Sequence, residues 1–143
     1  ENNIQTEMVS KLKTNIIFAD YLKFEEIIKV LILNTINTAH KNSKIKIHIT
    51  DKNNNLKFII ESKSMYISED KKKKMFSQCI SENMKYDKIG TGIGLYMTKK
   101  IIEKHHGKII IKSNLSQKMI FGFEIPQSLD KQLKINPIQF AYR

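Results

Sequence analysis

The chain is poor in the residues that staple, kink or clamp. It holds one cysteine, Cys79, two prolines, no tryptophan and a single arginine, Arg143, in 143 residues. A lone cysteine excludes an internal disulfide and any metal cluster built on thiolates. It suits a reducing cytoplasm, and Cys79 reads as a small, half-buried hydrophobe. No apolar run approaches the roughly 18 to 20 residues that cross a bilayer, so no membrane contact by this chain is expected. Glu1-Asn2-Asn3 does not open a signal peptide, and a start without Met reads as a fragment or processed form. The shortage of arginine qualifies the net charge of +11, which lysine carries almost alone. Nucleic-acid readers depend on arginine for bidentate contacts, so no nucleic-acid partner is expected. The joint richness in Lys, Ile and Asn is what an AT-rich gene produces. The densest run, Lys71-Lys72-Lys73-Lys74, reads as a solvated helix face.

What is present describes one domain. The length and the 41% hydrophobic content suffice for a core without staples. Asn15 to Ala19 reads as a short strand. Asp20 then caps a helix from about Tyr21 to His40, with Phe24, Ile27, Ile28, Leu31 and Thr35 at helical spacing. Lys41-Asn42-Ser43 is a turn. Ile45, Ile47 and Ile49 alternate with Lys46 and His48 as in a half-buried strand. Asp51 to Asn55 turns the chain, and Leu56 to Glu61 returns it. A short helix starts at Ser68 or Glu69 and runs to about Cys79. Another spans about Ile93 to His105, with Gly107 as its C-cap. Lys108 to Ser113 and Met119 to Ile125 form a closing hairpin about Asn114 to Gln117. Hairpin-joined strands imply an α+β two-layer sandwich: a mixed, mostly antiparallel sheet with about three helices on one face. The domain is expected over 1–126, with its core at 15–126, and 127–143 as a tail of open role.

Three of the five glycines fall in Gly90-Thr91-Gly92-Ile93-Gly94-Leu95, just before the last helix. A glycine-rich turn opening a helix presents free N–H groups and a positive dipole end to an anion. It is not a P-loop, which needs Lys-Ser or Lys-Thr after the last glycine, where Leu95-Tyr96 stands. Nor is it a dinucleotide fingerprint, since Ser81 to Lys88 is polar and does not read as the required strand.

This run, followed by a helix and His106-Gly107-Lys108-Ile109, resembles the second glycine box of the ATP-binding domain of sensor histidine kinases. That family shares the Bergerat ATP fold with gyrase, Hsp90 and MutL. The resemblance covers roughly residues 15–126 and implies ATP and Mg²⁺ as cofactors. It implies transfer of the γ-phosphate to a histidine on a separate helical dimerisation domain, with a response regulator downstream. No histidine here has a phosphoacceptor context, and the resemblance places no catalytic residue of its own in this chain. In the N box, Asn34 falls on the Mg²⁺-binding asparagine, whereas the asparagine one turn earlier is Val30. In the first glycine box, Ser62 stands for the adenine-binding Asp, and Ser64 and Tyr66 for its glycines. Phe76 falls on the family's phenylalanine. Ile80 to Ile89 corresponds to the ATP lid, from which Lys85 and Lys88 could reach phosphates. The implied nucleotide-binding set is Asn34, Ser62, Lys88, Gly90, Thr91, Gly92, Ile93, Gly94 and Leu95. The setting implied is cytoplasmic, including the cytoplasmic part of a membrane sensor. The losses at Val30, Ser62, Ser64 and Tyr66 leave an alternative open, a degenerate kinase domain that docks or regulates with weak or no ATP binding.

Overall fold

The computed structural model describes residues 3–13, 17, 19–77 and 93–127. Five strands form one sheet: β1 (Gln5–Lys11), β2 (Lys44–Lys52), β3 (Asn55–Lys63), β4 (Lys108–Ser113) and β5 (Lys118–Pro126). Their order across the sheet is β1-β2-β3-β5-β4. Only β1 and β2 run parallel; every other neighbouring pair is antiparallel. Three helices, α1 (Tyr21–Thr38), α2 (Glu69–Phe76) and α3 (Ile93–Lys104), complete the described elements. The α+β sandwich and its mixed sheet are therefore as the residue pattern implies.

The first strand is not where its apolar residues suggested. It lies over Gln5–Lys11, while Ile17 and Ala19 belong to no strand. The rest of the Asn15 to Ala19 stretch lies outside the described residues. Parallel pairing of Gln5–Lys11 with β2 makes α1 the crossover between them.

Local chemistry sets the element ends. The Asp20 carboxylate accepts the Lys23 N–H at 3.2 Å and caps α1. Phe24, Ile27, Leu31 and Thr35 form its buried stripe, and the Thr35 hydroxyl donates to Leu31 O at 2.8 Å. Asn53 and Asn54 both take positive φ, the type I′ geometry that matches strand twist in a two-residue hairpin. The Ser68 hydroxyl accepts the Lys71 N–H and caps α2. Of the four consecutive lysines in α2, Lys72 is buried against an ion pair with Glu69, so only three form a solvated face.

The end of α3 corrects a second expectation. His106, not Gly107, holds the left-handed backbone, at φ 58. His106 N–H bonds to Glu103 O and Gly107 N–H to Ile102 O, a Schellman closure. Gly107 is needed for proximity instead, because a Cβ there would sit 2.5 Å from Glu124 O.

The core lies between the helices and one sheet face. Leu56, Phe58 and Ile60 alternate inward from β3, and Met119, Phe121, Phe123 and Ile125 from β5. Phe123 stacks on Phe58 at 5.3 Å and meets Phe24 edge-on at 5.6 Å. Each such ring pair adds about 0.5–1.5 kcal/mol beyond its buried area.

Candidate functional site

Helices α1 and α3 meet through a glycine. A Cβ built on Gly94 would lie 3.2 Å from Val30 Cγ1, so Val30 packs directly on the first turn of α3. At the other end, the Asp20 N–H points to His105 Nε2 at 3.5 Å, and Phe24 meets the His105 ring edge-on at 4.9 Å. The helices are therefore antiparallel, with the middle of α1 against the N-terminus of α3. The inward face of α3 is Leu95, Thr98 and Ile102, all buried.

This contact brings together the N box and the helix that the glycine run opens. Asn34 follows Val30 by one turn and is half-buried. Its Nδ2 donates to Val30 O at 2.7 Å. That leaves Oδ1 as a neutral oxygen with no protein donor among the described residues, a suitable hard ligand for Mg²⁺. The valine that replaced the earlier asparagine acts as a spacer, since its methyls fill the gap that a glycine leaves between two helices. Leu95 turns into the core at 2% exposure and can offer a nucleotide only its backbone. Gly90, Thr91, Gly92, Lys85 and Lys88 lie outside the described residues, as do Cys79 and the side chain of Ile93.

The other implied end of the site lies on β3. Ser62 is 3% exposed and pairs in register with Met119. Its Oγ is buried with no hydrogen-bond partner among the described residues. Such an orphan normally costs about 1–3 kcal/mol, so it marks either strain or a missing ligand. Ser64 continues the strand as an isolated bridge to Ala39, and its N–H bonds to Gln117 O at 2.8 Å. Ile67 N–H bonds to Ser113 Oγ at 3.0 Å. The connector is thus tied down on both sides of Met65 and Tyr66, which project outward. Tyr66 is 47% exposed. Phe76 packs at the core's margin beneath the Lys99 ammonium, 5.6 Å from the ring centre.

Two features escaped the sequence reading. The orphaned state of Ser62 Oγ depends on neighbours far along the chain and leaves no local mark. The Val30–Gly94 contact was available as two motif positions, but only their packing shows that the substitution at 30 joins the helices.

This arrangement of mixed sheet, capped α1 and antiparallel α3 is the fold of histidine kinase catalytic domains. The nucleotide-free catalytic domain of the histidine kinase ThkA superposes with a TM-score of 0.73 at 30% identity, covering 90% of this chain and 82% of that one. The chain belongs to the family described as histidine kinase-, DNA gyrase B-, and HSP90-like ATPase, which matches residues 19–129. Sensor protein KdpD of Clostridium acetobutylicum is 33% identical over 107 residues, 73% of this chain. The chain spans 12% of that relative's length. ThkA in complex with the response regulator protein TrrA is also similar, at 26% identity and a TM-score of 0.66, over 88% of this chain and 35% of that one. Among the described residues no helix is long and apolar enough to cross a membrane.

Proposed function

We propose that this chain is the catalytic, ATP-binding domain of a two-component sensor histidine kinase, acting in the cytoplasm. The contact of Val30 with Gly94 carries the reading, because it sets Asn34 beside the helix start that the glycine run opens. A nucleotide would lie with its phosphates between α1 and the N-terminus of α3, and its base toward Ser62. Asn34 Oδ1 would hold Mg²⁺, which supplies charge neutralisation at the phosphates when bound. The backbone of 90–94 and Lys88 would complete the phosphate contacts. The domain's own part in phosphoryl transfer is positioning and electrostatics. The γ-phosphate would pass to a histidine on a separate helical dimerisation domain, and from there to a response regulator.

The relatives, which are sensor kinases, favour this catalytic reading over a degenerate docking module. Isothermal titration with Mg-ATP tests it. Dissociation constants below about 100 µM are expected, near −5.5 kcal/mol. Absence of binding at millimolar nucleotide would return the chain to the docking reading.

A further inference from the structure

The sheet face turned away from the helices has a pattern of its own, independent of the nucleotide site. Strand register places Val9, His48, Ile59, Gly122 and Ile110 side by side in one row across all five strands. Ile59 and Ile110 are half-buried, and the Ile59 side chain lies over Gly122, whose Cβ would sit 2.8 Å from Ile59 Cδ1. Two residues along the strands from this row, one flank carries Lys46 and Lys112 beside Glu7 and Glu61, and the other carries Lys11, Lys57 and Lys108 beside Glu124.

Acidic residues on this face are few and engaged. Glu7 pairs with Lys44 at 2.6 Å, Glu61 with Lys118 at 2.8 Å, and Glu124 with Lys108 at 3.4 Å. The Lys44 hydrogen bond and charge hold the Glu7 carboxyl below the usual carboxylate range. Lys11, Lys46, Lys52, Lys57, Lys63 and Lys112 make no ion pair among the described residues, so this face carries a net positive excess. A groove of about 470 Å³, lined in part by Lys57, Ile59, Ile110, Lys112 and Ile120, hollows its β3-β5-β4 half.

We propose that this face docks an acidic amphipathic helix lying across the strands. The dimensions agree. Five strands at about 4.8 Å spacing give a row about 19 Å long, or about 13 helical residues. The two flanks stand about 13 Å apart along the strands, close to the 10–12 Å diameter of a helix with its side chains. An apolar stripe on the partner would cover Ile59 and Ile110, and carboxylates on its flanks would meet Lys46 and Lys112 on one side and Lys11 and Lys57 on the other. The hollow disfavours a flat bilayer. Among the described residues the face carries no arginine, Phe, Tyr or Trp, which disfavours nucleic acid, since single strands need stacking platforms and bases need bidentate donors.

The test uses the whole chain and a labelled synthetic helix of about 13 residues, with leucines on one stripe and glutamates on both flanks. Fluorescence anisotropy compares it with the same peptide bearing lysines in place of the glutamates. The glutamate peptide is expected to bind at least about tenfold more tightly, and Lys57→Glu/Lys112→Glu to reverse that preference. Lys73→Glu/Lys74→Glu on α2 should leave it unchanged. Equal affinity for the two peptides, or an equal effect of the α2 variant, overturns the proposal. So does tighter, Lys57- and Lys112-dependent binding to phosphatidylglycerol vesicles or to a DNA oligonucleotide, which would assign the face to a membrane or to nucleic acid. If the double charge reversal fails to fold, Lys57→Gln/Lys112→Gln takes its place and is expected to weaken binding of the glutamate peptide severalfold.

Discussion

The two ends of the proposed nucleotide site are built by opposite means. At the phosphate end, a small residue and a branched one close the gap between helices, and the polar group left over, Asn34 Oδ1, faces no protein donor among the described residues. At the base end, the sheet itself continues through Ser62 to the Ser64 bridge with Ala39, and a hydroxyl is sealed in without a partner. Each end leaves an oxygen without a protein donor among the described residues, on half-buried Asn34 at the first and on buried Ser62 at the second.

The sharpest way to break this contrast is Ser62→Asp. A carboxylate buried at 3% exposure without a donor should destabilise the nucleotide-free domain by about 3 kcal/mol, seen as a lowered Tm. Mg-ATP should restore much of that loss and bind about tenfold or more tightly, since adenine supplies the missing donor. An unchanged Tm would mean that the hydroxyl is not sealed. Next in size is Asn34→Ala. It should weaken Mg-ATP binding by about 1.5–3 kcal/mol in titration while affecting metal-free nucleotide much less. Equal losses with and without metal would remove Asn34 from the metal site. Ser62→Ala is expected to be neutral or to stabilise by up to about 1 kcal/mol, because it deletes an unsatisfied group. A clear loss in a denaturant melt would reveal a partner for that hydroxyl. Smallest of all is Tyr66→Ala, within about 0.5 kcal/mol of stability and without gain in ATP affinity, given its 47% exposure. A marked gain would show the phenol to be blocking the base.

Most of the fold was legible because burial repeats along it. The alternation in β2, the stripe of α1 and the Asp20 cap each follow from spacing and one capping residue. The expectation that failed at the first strand failed for a physical reason. Gln5–Lys11 is an edge strand with mostly exposed side chains, so no apolar alternation is required of it. Apolarity reports burial rather than extension, and Ile17 packs against the core without joining the sheet. At His106-Gly107 the same local signal had two explanations. The left-handed turn falls on the histidine, and the glycine answers a neighbour from β5 that local sequence cannot reveal. The family motifs point to Val30 and Gly94 separately, and only the fold shows that the two pack together.

The paired contacts of α1 with α3 have a mechanical consequence. One clamp joins Asp20 and Phe24 to His105; the other joins Val30 to Gly94, ten residues along α1, or about 15 Å away. Two fastenings that far apart oppose swivelling of one rod on the other, so the two helices tend to move together. The far end of that pair is Ala39, which bridges to Ser64. A push at the start of α3 is thereby delivered some 9 residues beyond Val30, about 13 Å away, at the strand end that carries Ser62.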